Sequence, residues 1–100
     1  MEIEIKKSDK KGKRLKAVID GKKTVHFGDI NAKGRTFFDT GDTQKKSAYI
    51  ARHKVNENWS DPKSAGFYAK HVLWNSQSKD VIRRSIKSNA KNVKSVKLSF

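Results

Sequence analysis

Two runs of alternating residues face each other across Asp20-Gly21-Lys22, and this arrangement constrains the fold more than any other stretch of the chain. Leu15, Ala17 and Ile19 alternate with Lys16, Val18 and Asp20 before the turn, and Val25 and Phe27 alternate with Thr24 and His26 after it. A period of two is the pattern of a strand with one buried face. Asp-Gly is a strong hairpin signal. Loop length decides the pairing, because a slip of one residue turns every side chain to the opposite face. A two-residue turn at Asp20-Gly21 pairs Leu15 with His26 and Lys16 with Val25, which mixes the faces. A three-residue loop, Asp20 to Lys22, pairs Ala17 with Val25 and Leu15 with Phe27, so all the apolar side chains share one face. That register is the expected one, with Lys16, Val18, Thr24 and His26 on the other face. Ile3 and Ile5, alternating with Glu2, Glu4 and Lys6, add a strand in front, joined through the polar turn Ser8 to Lys13.

Periodicity changes after residue 40. Asp29 to Gly41 reads as a loop pinned by Phe37 and Phe38. Asp42 or Thr43 caps a helix to about Glu57, with Tyr49, Ile50 and His53 on one face and Arg52 and Asn56 beside them. Ser60-Asp61-Pro62 starts a second helix, to about Asn75. Its stripe Ala65, Tyr68, Ala69, Val72 and Leu73 is backed by Phe67 and Trp74 on the far side, the mark of a central, sandwiched helix. Ser78 caps a third helix to about Asn89, with Ile82, Ser85 and Ile86 inward. Val96, Leu98 and Phe100 alternate as a final strand. The expectation is one α+β domain over residues 1–100, ordered β-β-β-α-α-α-β: an N-terminal antiparallel meander of three strands, three helices and a C-terminal strand, the sheet antiparallel.

Charge is the second constraint. Lys and Arg number 24 against 10 acidic residues, a net charge of +14 on 100 residues. Like charge at this density repels itself in a compact domain, and solubility needs far less. The commonest use of such a load is to neutralise phosphates, with counterion release driving association. There is no cysteine, so disulfides and thiolate metal sites are excluded. No apolar run approaches the roughly 18 residues of a membrane span, and the start of the chain is not a signal peptide. A soluble protein without a membrane partner is expected.

Two basic clusters stand out. Lys10, Lys11, Lys13 and Arg14 surround Gly12 in the first turn, and Arg83, Arg84, Lys87 and Lys91 share one face of the last helix, with Lys94 beyond it. Lysine outnumbers arginine heavily; a lysine is a point charge, whereas arginine reads guanine bidentately, so backbone contact without sequence readout is favoured. His26, His53 and His71 lie on different elements with no paired-ligand spacing, so they read as structural or surface groups and no metal or cofactor is expected. The strongest catalytic grouping, His26, Arg52, His53 and Glu57, is a weak basis for a nuclease. Trp59, Phe67, Tyr68 and Trp74 read first as core and second as base-stacking surfaces.

Four segments occur in a familiar combination: Thr24-Val25-His26-Phe27-Gly28, Tyr49-Ile50-Ala51-Arg52-His53, Asn56-Glu57-Asn58-Trp59, and Ala65 through Asn75. Over residues 14–90 the chain resembles a family of small, basic, largely uncharacterised proteins of large double-stranded DNA viruses and some phages. Asp29 to Thr43 departs from that pattern in lacking a tyrosine. The resemblance implies a viral setting, with a place in the virion or in the host cytoplasm or nucleus. The function expected is non-enzymatic, mostly sequence-independent binding of nucleic acid, DNA ahead of RNA, through backbone phosphates. The alternatives are a minor capsid-associated protein meeting acidic capsid or host surfaces, and a small nuclease.

Overall fold

The computed structural model describes residues 1–55 and 58–100. The meander forms as the alternation requires: β1 (Glu2–Lys7), β2 (Lys13–Ile19) and β3 (Lys23–Asp29) pair antiparallel in order. Leu15 lies opposite Phe27 and Ala17 opposite Val25, the register of the three-residue loop. Asp20 and Gly21 both take positive φ, which lets so short a connection reverse the chain. The Asp20 carboxylate also accepts from the Glu2 amide at 2.7 Å, tying the loop to the start of β1.

The sheet is mixed, not antiparallel. Its order is β3-β2-β1-β4, and β4 (Ser95–Ser99) runs parallel to β1. The direction is set where the strands begin. The Met1 amino group donates to the Asn92 carbonyl at 2.6 Å, and the Lys94 amide donates to the Met1 carbonyl at 2.8 Å. Both strands therefore start at one end of the sheet. Val96 then falls beside Ile3 and Leu98 beside Ile5, on the apolar face.

There are four helices among the described residues, one more than expected. The addition is a single turn, α1 (Phe37–Thr40), in the stretch read as loop; a short 3-10 turn, Ile30–Ala32, precedes it. Thr36 and Asp39 form a reciprocal capping box that starts α1. α2 (Thr43–His53) is capped by the Asp42 carboxylate, which accepts from the Gln44 and Lys45 amides; it ends short of the expected Glu57, because Lys54 and Val55 form a turn, and Asn56 and Glu57 lie outside the described residues. α3 (Ala65–Tyr68) begins four residues after Asp61, because Asp61 is used in a turn, accepting from the Lys63 amide, and Ser64 is the cap. α3 continues as a wider π-turn, Ala69–Leu73, closed by the Trp74 amide on the Ala69 carbonyl at 3.1 Å. α4 (Lys79–Asn89) is capped by Ser78, as expected.

Most of the large buried side chains meet between the sheet and α3–α4. Ile5, Ala17, Phe67, Tyr68, Val72, Ile82 and Ile86 have no exposed surface. Burying such side chains contributes roughly 1.5–3 kcal/mol each, the main term holding so small a domain together. α3 with its π-turn is the central helical element: Phe67, Tyr68, His71, Val72 and Leu73 are all buried. Phe38 and Phe100 close one side edge-to-face at 5.6 Å. No described helix is long and apolar enough to cross a membrane.

Candidate nucleic-acid interface

The β1–β2 connection is a tight polar turn in which the Ser8 amide bonds the Arg14 carbonyl and the Lys13 amide the Lys10 carbonyl. Gly12 sits at φ +83° at its tip. Lys10, Lys11 and Lys13 are exposed there. Arg14 is not part of this surface. Its guanidinium turns inward and grips the Asp39 carboxylate at 2.7 and 2.6 Å, with the side chains only 11% and 15% exposed. Asp39 also accepts from the Gly34 amide and from the Thr36 amide and hydroxyl. The Arg14 bond, opposed by burial and aided by Thr36, holds the Asp39 carboxyl well below the usual carboxylate range. Arg14 thus fastens β2 to α1. Beside the tip lies a depression of about 220 Å³, lined by Lys7, Lys13, Lys33 and Arg14 over a floor of Leu15, Ile30 and Phe100, with no Asp or Glu side chain among the described residues of its wall.

On α4 the expected basic stripe exists and is partly neutralised. Arg83 bonds the Asp80 carboxylate at 2.8 Å, and Arg84 lies 3.5 Å from its other oxygen. Arg83, then Arg84, depress the Asp80 pKa. These are exposed i,i+3 and i,i+4 pairs of small energetic weight. Lys87, Lys91 and Lys94 are exposed beyond them.

Sequence reasoning missed the largest cleft among those described, of about 540 Å³, between α2 and the π-turn. Tyr49 and Trp74 stack at 4.6 Å with planes 3° apart, and His53 stacks on Tyr49 at 4.3 Å and 26°. Tyr49 is nearly buried, while Trp74 and His53 are half-buried. Arg52 and Lys13, both exposed, also line the cleft, so Lys13 belongs to its wall and to the tip depression alike. The i,i+4 spacing of Tyr49 and His53 was the visible signal; the Trp74 contact depends on the π-turn, which re-aims that side chain.

Of the grouping His26, Arg52, His53 and Glu57, the described residues Arg52 and His53 share the cleft and His26 stands apart from them. His26 shares a hydrogen bond with the Ser8 hydroxyl at 2.8 Å and does not line the cleft, and Glu57 lies outside the described residues. His71 is buried and fully used. Its Nε2 donates to the Trp59 carbonyl at 2.9 Å, so in the neutral ring Nδ1 accepts from the Ser85 hydroxyl at 2.9 Å. Burial, only partly offset by the carbonyl bond, lowers its pKa, with Lys70 adding to the effect. No cluster of three His, Cys, Asp or Glu side chains suited to a metal occurs among the described residues.

The chain belongs to a family of unknown function, DUF5754, which it matches over residues 3–53. That span runs from β1 to the end of α2 and carries the tip lysines, Arg14, Tyr49, Arg52 and His53. Comparisons with curated proteins and with solved structures return no match.

Proposed function

We propose that this protein binds nucleic acid without catalysis and largely without regard to sequence, through the phosphate backbone. The observation that carries the reading is the tip: Lys10, Lys11 and Lys13 exposed on a tight turn, next to a depression walled by Lys7, Lys13 and Lys33 and, among the described residues, free of acidic side chains. Cations in this density attract a polyanion and release its counterions. Lysines, as point charges, position a backbone and read no base. The α4 stripe is a second contact of lower weight, because Asp80 already engages Arg83 and Arg84. We assign DNA ahead of RNA and a viral setting on the strength of the sequence resemblance.

Charge reversal tests the assignment of surfaces. Lys10→Glu, Lys11→Glu and Lys13→Glu together are expected to weaken DNA binding at least tenfold at 100 mM salt, equally for unrelated sequences, with binding read by fluorescence anisotropy. Arg83→Glu with Lys87→Glu is expected to weaken it less, also uniformly. Unchanged affinity in both variants would contradict the proposal.

A further inference from the structure

We propose that the cleft between α2 and the π-turn takes one unstacked nucleotide of a single strand, its base against the aromatic wall and its phosphate on Lys13 and Arg52. The inference rests on the nucleic-acid reading and deepens it, by naming the form of nucleic acid that this wall selects. Size comes first. The cleft's volume, about 540 Å³, is that of a small-molecule site and accommodates a single nucleotide. The wall comes second. Tyr49 is clamped between the nearly parallel rings of His53 and Trp74, so the orientation of Trp74 is set before any ligand arrives. A base offers a flat π-face that such a wall accepts whatever its identity. In a duplex those faces are covered by neighbouring bases; in a single strand they are open.

Charge at the lip is the third element. Lys13 and Arg52 are exposed cations on opposite elements, β2 and α2, and both line the cleft. Among the described residues one acid lines it too: Asp29, whose carboxylate is engaged by the Asn31 amide at 2.9 Å. Lys13 also borders the tip depression, so a strand leaving the cleft runs onto the surface assigned to backbone contact. The two readings therefore describe one continuous path.

The chain has two tryptophans, so Trp59→Phe leaves Trp74 as the only indole. This variant is titrated with a short oligothymidylate, an abasic strand of equal length, a duplex and thymidine monophosphate. The oligothymidylate is expected to bind roughly 5- to 150-fold tighter than the abasic strand, the range of one base stacked on an aromatic ring, and to quench Trp74. The abasic strand and the duplex are expected to bind with little quenching. Arg52→Ala is expected to lower affinity for the strand several-fold. Equal affinity for the abasic strand with no change at Trp74 overturns the cleft assignment and leaves backbone binding intact. Quenching by the duplex as strong as by the single strand, or equal affinity for the monophosphate, overturns the assignment to a single strand. Absence of binding to any polymer overturns the underlying reading as well. If Trp59→Phe fails to fold, the Trp74 indole N–H resonance of the unsubstituted protein reports the same outcomes.

Discussion

Buried His71 and partly buried Asp39 divide the acid response of this protein between them. His71 is held neutral by burial, with both ring nitrogens occupied. Its folded pKa lies below that of the unfolded chain, near ~6.5. The unfolded state therefore takes up the proton first, and the stability His71 contributes is complete above that value and falls as pH drops below it. Asp39 acts lower down. Arg14 depresses its folded pKa, so its contribution is complete above the ordinary carboxylate range and is lost as pH falls through that range and beyond. Urea unfolding across pH 3–8 is expected to show two declines, and His71→Gln is expected to abolish only the upper one. Asp39→Asn leaves Arg14 with a neutral acceptor in a mostly buried site. It is expected to cost about 2–4 kcal/mol at pH 7, somewhat less than the roughly 3–5 kcal/mol of breaking a fully buried pair because both side chains keep some exposure, measured as a shift in the urea midpoint. A midpoint within error of the parent would show that the pair is only a surface contact.

At the scale of elements, α2 is lightly anchored for its length. Tyr49 is its one buried residue, and an eleven-residue helix of this composition is marginal in water on its own. Tyr49→Ala removes the middle ring of the stack. Amide exchange is expected to lose its protection across Thr43–His53 while β1, β2 and β3 keep theirs; uniform loss through the molecule would mean that the stack supports the whole core. The elements also differ in how far local chemistry reveals them. The β2–β3 register was legible because a period of two and the Asp20-Gly21-Lys22 loop act over a dozen residues. The direction of β4 was not, since it depends on where α4 delivers the chain and on the Met1–Asn92 and Lys94–Met1 bonds between the two ends. A four-residue helix such as α1 has no period to read. Asp61-Pro62 carried the signature of a helix start yet serves a turn, with Ser64 as the cap.

Taken whole, the molecule is a four-stranded sheet with its apolar face under α3 and α4. The other face carries the row Lys6–Lys16–His26, side by side across three strands. Like charges opposite one another destabilise a sheet, and here Asp9 sits 3.3 Å from Lys16 to offset them. The basic residues were individually plain in the sequence. Their grouping was not: Arg14 left the tip for Asp39, Asp80 engaged two arginines of α4, and Lys13 and Arg52 met across the cleft only through tertiary packing. The central claim is that the exposed cations act together on phosphates, and its most direct test is the salt dependence of DNA affinity. With about 4–6 phosphates neutralised, log K against log salt concentration is expected to fall with a slope near −4 to −5 on duplex B-DNA. A slope near zero, or no measurable binding at low salt, would contradict the account.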